Sequence, residues 1–400
     1  MNKIKSYLNS ILGYFLFVPA VTFGIIHSGV FPYAFLYSIN NIKEWMANKN
    51  KYFIYYIFCI LFSSFISCII LGRQNNLTQY NLIEIFRSAF ALINGPIIFT
   101  ALLFINLKEI QRLKRTVFII FPLFIAIAIF QHFNYFISFE FFKFLIPTAD
   151  NFNLESIGRG VTILQSEPAR AAYDLIFLAV LIKDTLIKRY ENFHFLFDIF
   201  FLVVILFINK SMTGLVYTVV FILCFNNLKS IIKLSSLLLI FAPLYLFYFD
   251  DSRTAFFLNT LFFNPEFFAR FVYDNSGFRI IGLLSVIPEI IQYPFGVSVG
   301  LWRQHQSLIH LTNFPGYIKD SGFDAVKIPS FIFEIIYDFG ILSFYIFHFL
   351  FKGMKKIFKA LPFKYLLFFF FAFIFSDTVG DPLPWISLSI LYRTFSYASK

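Results

Sequence analysis

The stretch that decides the fold is YFIYYIFCILFSSFISCIIL, which runs from Tyr52 to Leu71. It holds no charged residue, and it has the roughly 20 residues that an α-helix needs to cross the hydrocarbon core of a bilayer. A helix is predicted here because a helix satisfies its backbone N–H and C=O groups internally, which lipid requires. The stretch therefore predicts a membrane span, and similar apolar runs recur along the chain.

These runs predict an all-α polytopic membrane protein with about twelve transmembrane helices, in a range of ten to twelve, forming one domain over residues 1–400. Composition agrees, because only 14% of the residues are charged, whereas soluble domains carry about 25%. The last two runs are short and could instead form a re-entrant pair. The runs lie near 8–26, 28–42, 52–71, 82–106, 116–137, 168–187, 193–208, 212–226, 234–249, 329–351, 365–376 and 384–398.

Positive charge falls in alternate connections between the runs. Because cytoplasmic loops carry an excess of Lys and Arg, this side is predicted to be cytoplasmic, together with both termini. We therefore assign the net charge of +11 to topology rather than to nucleic-acid binding. The basic residues on this side are Lys3, Lys5, Lys43, Lys49, Lys51, Lys108, Arg112, Lys114, Arg115, Lys188, Arg189, Lys229, Lys233, Lys352, Lys355, Lys356, Lys359, Lys364 and Lys400.

The opposite, extracytoplasmic side receives two long connections, an outer loop at 138–167 and a large outer loop at 250–328. Within the large loop, apolar stretches around Thr254–Phe263 and Ile280–Ile291 predict short helices at the membrane interface. The chain has no P-loop, no dinucleotide-binding glycine motif, no H-E-x-x-H and no G-x-S-x-G. Its three cysteines have no metal-ligand or disulfide spacing. The sequence therefore argues against an ATP-driven pump and a zinc protease, and it predicts no metal and no cofactor.

The segment from Gly158 to Asp174, GRGVTILQSEPARAAYD, carries the most chemistry. Pro168 suits the first turn of a helix, but the cation of Arg170 in that turn opposes the helix dipole. Asp174, one turn further on, could neutralise Arg170 as an i,i+4 pair, or Arg170 could bind a ligand. Arg159, whose one acidic neighbour in sequence is Glu155, is the better candidate for ligand binding.

In its layout and in four short segments the chain resembles the O-antigen polymerase (Wzy) family, within the group that includes the O-antigen ligases. Arg159-Gly160 before Ser166-Glu167-Pro168 is similar to the family's arginine-containing loop and S-E-P-S-like segment. Asn209–Gly214 looks like its polar hairpin between two spans. The span that begins at Ser330 and reaches Asp338-Phe339-Gly340 is similar to the family's segment ending in an acid and a glycine. His305-Gln306 matches the ligase pattern only in part, because Lys319 stands where a second glycine would fall, and this favours the polymerase.

The resemblance implies an enzyme of the cytoplasmic (inner) membrane of a bacterium, with its site on the outer face. Such an enzyme joins oligosaccharides carried on undecaprenyl pyrophosphate, with membrane lipids, a chain-length regulator and a flippase as further partners. The reaction needs cations on the pyrophosphate, and the planar fork of arginine suits that task. It also needs a base for the attacking hydroxyl. We expect Arg159, Glu167 and Arg279 to be catalytic, with Arg170, Arg270, Arg303 and His305 binding substrate.

Two choices within this set rest on position. Arg279 stands out because it directly precedes the apolar run Ile280–Leu284, which would place its cation at the depth of the lipid headgroups. Glu167 is preferred to Asp338 as general base, because Asp338 lies inside a predicted span. There, a structural ion pair of Asp338 with Arg393 is an alternative.

Two other functions fit parts of the same pattern. An O-antigen ligase would transfer a finished glycan to an acceptor at the same face of the membrane. A flippase or exporter of lipid-linked sugars belongs to a different class and would also show many apolar spans. The long outer loop of about 80 residues argues against a transporter, because loops beyond about 15 residues are usually functional or disordered.

Overall fold

The fold is known from a computed structural model that describes residues 2–21, 31–41, 51–74, 78–133, 145, 161–165, 168–187, 193–237, 253–267, 286–301, 330–375 and 379–398. Every regular element in these ranges is a helix. In chain order the helices are α1 (Asn2–Phe15), α2 (Pro32–Asn40), α3 (Lys51–Arg73), α4 (Gln79–Phe104), α5 (Leu107–Phe133), α6 (Pro168–Ile187), α7 (Phe193–Val203), α8 (Met212–Phe225), α9 (Arg253–Phe263), α10 (Val286–Gln292), α11 (Phe331–Phe339), α12 (Ser343–Ala360), α13 (Phe363–Ile374) and α14 (Leu383–Ala398). Residues 228–237 are also helical.

Four helical stretches in the described ranges are long and apolar enough to cross a membrane: Lys51–Arg73, Gln79–Phe104, Leu107–Phe133 and Phe331–Ala360. Shorter apolar helices cover Phe193–Asn209, Met212–Phe225 and Phe363–Ile374. The membrane character of the chain is thereby supported, and so is its all-helical class. The count of about twelve spans and their orientation stay predictions.

Most predicted runs coincide with helices, but the first does not extend as far as its apolar pattern. Helix α1 ends at Phe15, although the run continues to residue 26. The reason is Pro19, whose ring clashes with the carbonyl four residues earlier, that of Phe15. Residues 16–20 form turns instead. The second run yields only the nine residues of α2, with Pro32 in its first turn, about 13 Å of helix.

Helix α6 is the centre of the bundle. Every residue from Ala171 to Asp184 is buried, and the middle of the helix, from Leu175 to Ile182, is apolar all round, as expected for a helix with other helices on every side. Aromatic rings fill the space between α6, α8 and α13. Phe177 packs edge-on against Phe368 at a centroid distance of 5.7 Å, and Tyr173 packs edge-on against Tyr217 at 5.2 Å.

Outside this core, α3 presents a face of large apolar side chains to the surroundings. Phe58 is 65% exposed and Phe65 is 62% exposed. Soluble monomers rarely expose a contiguous apolar surface of this kind, whereas lipid-facing helices require it. The outward face of α3 therefore matches the span that its sequence predicts.

Helices α4 and α14 lie side by side and run in the same direction. Trp385 covers Gly95, whose position would put a Cβ atom 2.2 Å from the indole ring. Four residues on, the Ser389 hydroxyl donates to the carbonyl of Phe99 at 3.2 Å. Because a glycine permits helices to approach closely, Gly95 sets the spacing of this pair.

At its C-terminal end, α6 is tied to α7 and α8 by a buried ion pair. The ammonium of Lys183 donates to both carboxylate oxygens of Asp198, at 2.6 and 2.7 Å, and to the side-chain oxygen of Asn226 at 3.0 Å. It also lies 5.0 Å from the centre of the Phe221 ring. We call this group the Lys183 cluster. Nearby, Lys114 pairs with Asp184 at 3.2 Å.

Candidate functional site

The other end of α6 begins beneath a short non-helical segment, residues 161–165, which two amide side chains hold in place. Gln131, in the last turn of α5, accepts from the backbone N–H of Ile163 at 2.7 Å and donates to its carbonyl at 3.0 Å. Asn209 donates to the carbonyls of Val161 and Pro168, at 3.2 and 3.0 Å. The side chains thereby supply hydrogen bonds that a helix or sheet would otherwise provide.

Below this segment lies a buried cluster of acids with one arginine, which we call the Asp174 cluster. The Asp174 side chain is fully buried, and Gln165 donates a short hydrogen bond to it. The carboxyl of Asp381 lies within hydrogen-bond distance of Asp174, and the guanidinium of half-buried Arg170 is close enough for its charge to act on Asp174. The cluster therefore brings two carboxyl groups and one guanidinium close together at the start of α6.

Asp381 is 5% exposed and precedes the last helix. Its carboxylate accepts from the backbone N–H of Leu383 at 2.8 Å, so it caps α14 while it faces Asp174. The sequence signal for this role was available, since an aspartate followed by a proline is typical of a helix start. The contact with Asp174 had no local signal, because the two residues are 207 positions apart in the sequence.

Arg170 lies near enough to Asp174 for its charge to act on that carboxyl, as the i,i+4 spacing predicts, but these two described side chains do not form a direct ion pair with each other. Asp381 was not expected as a third member. Because the Asp174 carboxyl is near the guanidinium, it can offset the unfavourable position of a cation in the first turn of α6. Structural pairing and ligand binding are both compatible with this position of Arg170. The other site residues predicted from sequence lie outside the described residues: Arg159, Glu167, Arg270, Arg279, Arg303 and His305.

The polar hairpin expected at Asn209–Gly214 has a defined local structure. Helix α7 continues as a π-helical turn, Val204–Asn209, and Lys210 then takes a left-handed conformation with φ 52°. The Ser211 hydroxyl caps α8 by accepting from the N–H of Gly214 at 3.2 Å. The π-helical turn, of a kind often found at functional sites, brings Asn209 to the carbonyls of Val161 and Pro168. Burial lowers the pKa of Lys210.

A second region with many hydrogen bonds is the part of the predicted large outer loop that packs against helices α3 and α11. We call residues 293–301 the inserted segment. Its Val299 carbonyl accepts from the Ser67 hydroxyl at 2.7 Å, and its Val299 N–H donates to the Ser63 hydroxyl at 3.3 Å. Ser63 lies ten residues before the end of α3, which is about 15 Å of helix. Non-helical backbone packed against an apolar helix requires hydrogen-bond partners of this kind, because apolar surroundings offer none.

The inserted segment also meets the end of α11, where the helix breaks at Gly340. Ser298 donates its N–H to the carbonyl of Asp338 at 3.0 Å, and Ile341 donates to the carbonyl of Pro294 at 2.8 Å. Gly296 has φ 83°, and a Cβ atom there would lie 2.3 Å from the Asp338 carbonyl oxygen. Glycine is therefore required at position 296 by both conformation and space.

The alternative ion pair between Asp338 and Arg393 is not formed. Arg393 donates instead to the carbonyl of Ile105, just after α4, at 2.8 Å and stacks on Tyr397. Asp338 lies at the break of α11, where its backbone carbonyl receives the inserted segment. Among the described residues no group of three or more His, Cys, Asp and Glu side chains could hold a metal ion.

Comparison with known proteins does not assign the chain to a family. No family model, no curated protein and no solved structure matches it. Functional inference therefore depends on the residues and their geometry.

Proposed function

We propose that this protein is a glycosyltransferase-type polymerase that joins undecaprenyl-pyrophosphate-linked oligosaccharide repeat units at the outer face of the bacterial cytoplasmic membrane. Its product would be an O-antigen, a capsule or an exopolysaccharide. The observation that carries the proposal is the Asp174 cluster, in which Arg170 lies near a buried carboxyl at one end of an enclosed helix. A fixed guanidinium of this kind suits an anionic, lipid-borne substrate.

The reaction transfers a glycosyl group between two such substrates. A hydroxyl oxygen of one repeat unit forms a new bond to the sugar carbon that carries undecaprenyl pyrophosphate on the other. The bond from that carbon to the pyrophosphate oxygen breaks, and the pyrophosphate leaves with the electron pair. Arg159, Arg170 and Arg279 would neutralise the charge that develops on it. The hydroxyl proton passes to a carboxylate, for which the sequence predicts Glu167.

The arginines give the proposal its first test. We expect Arg159→Ala, Arg170→Ala and Arg279→Ala each to abolish long chains, because a desolvated pyrophosphate loses a charged hydrogen-bond partner. An Arg→Lys change at the same positions should also impair polymerisation, since a lysine cannot make the two parallel bonds of a guanidinium. Chain length is read from a gel of the surface polysaccharide, and protein abundance from an immunoblot.

The matched control is Arg73→Ala, because Arg73 is exposed at the end of α3 and has no role in the proposed site. This variant should make chains of normal length. Normal chain length in the Arg159, Arg170 and Arg279 variants as well would refute the site. Deletion of the gene separates the functions: single repeat units on the acceptor indicate a polymerase, whereas unattached polymer indicates a ligase.

Transport of lipid-linked sugars is a second candidate, favoured by the break at Gly340 and by the inserted segment beside it. Transporters often place substrate sites at interrupted helices near the middle of the membrane. Under this alternative, deletion should trap repeat units on the cytoplasmic leaflet. Lectin binding to the lipid-linked sugars on the exposed cytoplasmic leaflet of inverted vesicles distinguishes that outcome from loss of polymerisation.

A further inference from the structure

Helix α10, in the predicted large outer loop, buries an acid that the proposed mechanism has not used. The Glu289 side chain is only 1% exposed, and neither of its carboxyl oxygens has a hydrogen-bond partner among the described residues. Facing it from α11 is Tyr337, also 1% exposed, whose hydroxyl likewise has no such partner within the described ranges. The charge of Glu289 acts on that hydroxyl.

Burial of polar groups in this state is costly. Transfer of a hydroxyl or a carboxyl out of water without a compensating hydrogen bond is unfavourable, and most buried polar side chains in folded proteins have a partner. Two adjacent groups left open in this way, an acceptor and a donor, match a ligand that offers both a hydroxyl to donate and an oxygen to accept.

The surroundings are apolar, with aliphatic and aromatic side chains. Val286, Val297 and Tyr337 form a small core with Tyr293 and Phe333 packed against it. The backbone on either side is fixed, because Tyr293 donates its N–H to the carbonyl of Glu289 at 2.7 Å and Val297 donates to the carbonyl of Tyr337 at 3.2 Å. Glu289 and Tyr337 are therefore held in position before any ligand arrives.

We propose that Glu289 and Tyr337 form the subsite for the acceptor sugar of the polymerisation, an inference that rests on the proposed function. The attacking sugar hydroxyl donates a hydrogen bond to the Glu289 carboxylate, while the Tyr337 hydroxyl donates to a neighbouring sugar oxygen. As the sugar oxygen bonds to the donor carbon and the pyrophosphate leaves, the hydroxyl proton passes to Glu289. In this assignment Glu289 takes the role of general base that was predicted for Glu167.

The electrostatic state of Glu289 suits a proton acceptor. Burial raises the pKa of this carboxyl to about 7, and a general base works best when its pKa lies near the working pH. The neighbouring Tyr337 hydroxyl is acted on by the charges of Glu289 and Asp338 and by Tyr293. The polymerisation rate should therefore rise with pH up to about 7 and level off above it.

The experiment uses the full-length protein in proteoliposomes with lipid-linked repeat units. Glu289→Gln should lower the polymerisation rate about 100-fold and remove its rise below neutral pH. Tyr337→Phe should lower the rate while keeping the pH profile. The matched controls are Glu266→Gln in the same predicted loop and Tyr345→Phe on α12, since both side chains are exposed. Both should behave as the wild type.

A binding measurement separates this inference from the function on which it rests. The probe is the lipid-free oligosaccharide released by mild acid from the lipid-linked pool of the native cells. Saturation-transfer NMR should detect it on the wild type, with affinity reduced about tenfold in Glu289→Gln and Tyr337→Phe. Thermal unfolding of each variant reports whether it has folded, and Tyr337→Phe tests the subsite even if Glu289→Gln does not fold.

Each outcome decides a different statement. Polymerisation by the wild type together with normal binding and rate in both variants would overturn the subsite and leave the polymerase function in place. Absence of binding to the wild type would also overturn the subsite. If the wild type binds the oligosaccharide and the variants do not, but nothing polymerises, the proposed function fails and the sugar subsite stands. Loss of the pH dependence in Glu167→Gln alone would return the proton to Glu167.

Discussion

The Lys183 cluster and the Glu289–Tyr337 pair are both buried and both polar, yet they differ in how their hydrogen bonds are satisfied. In the first, the three N–H groups of the Lys183 ammonium all have acceptors, two on Asp198 and one on Asn226. In the second, the carboxyl oxygens and the hydroxyl have no partner among the described residues. A satisfied cluster joins helices, whereas an open one is ready for a ligand. Within one helical bundle, we therefore assign a structural role to the Lys183 cluster and a ligand-binding role to the Glu289–Tyr337 pair.

The largest effect is expected from breaking the satisfied cluster. Lys183→Met should destabilise the protein by about 3 to 5 kcal/mol, because removal of one partner leaves the Asp198 charge buried alone. The double variant Lys183→Met, Asp198→Leu should recover most of that loss, since no charge remains. Thermal unfolding in detergent measures both variants. A double variant no more stable than the single one would show that the cluster does more than hold helices together.

The positions of the helices could largely be predicted from sequence, because hydrophobic run length is a local property. The run at 168–187 coincides with α6, and the run at 384–398 begins one residue after α14 does. The proximity of Arg170 to Asp174 could likewise be predicted from their i,i+4 spacing. In α1 the apolar pattern alone overestimated the helix, since Pro19 ends it.

What sequence could not predict depends on contacts between distant residues. The meeting of Asp174 with Asp381, and the insertion of residues 293–301 beside Ser63 and Ser67, join segments more than 200 positions apart. Neither of these contacts produces a hydrophobic periodicity in the sequence. Glu289 was visible only as one acid among several in a polar loop, because its burial depends on α11. The π-helical turn before Asn209 also had no compositional signal.

A second substitution, Glu289→Gln, tests the Glu289–Tyr337 pair. Because the pKa of Glu289 in the folded protein, about 7, is raised above its usual value near 4.5, the folded state holds a proton that the unfolded state releases. This contribution to stability is complete below a pH of about 4.5 and is lost as the pH rises from there to about 7. Glu289→Gln should therefore match the wild type at pH ~4 and be more stable at pH ~8, by about 1 to 3 kcal/mol.

The measurement is the difference in melting temperature between variant and wild type at the two pH values, so that other titrating groups cancel. Glu266→Gln, at an exposed position, should show no such pH-dependent difference. A variant that is less stable than the wild type at pH 8 would mean that the carboxylate has a stabilising partner. In that case the open state of the pair, and with it the contrast to the Lys183 cluster, would be wrong.

The smallest change in stability is expected for a partly exposed charge pair on the surface, Arg112 and Glu109. Arg112 contacts Glu109 at 3.3 Å, and the Arg112 side chain is 32% exposed. Solvent screens such a pair, so Arg112→Gln should change stability by less than about 1 kcal/mol, with the same melting experiment as the measure. If Arg112→Gln lowers stability as much as Lys183→Met does, solvent exposure does not determine how strongly these charge pairs stabilise the protein. Because the pair lies on α5, the helix whose Lys114 contacts Asp184 beside the Lys183 cluster, the two results compare neighbouring charges that differ chiefly in burial.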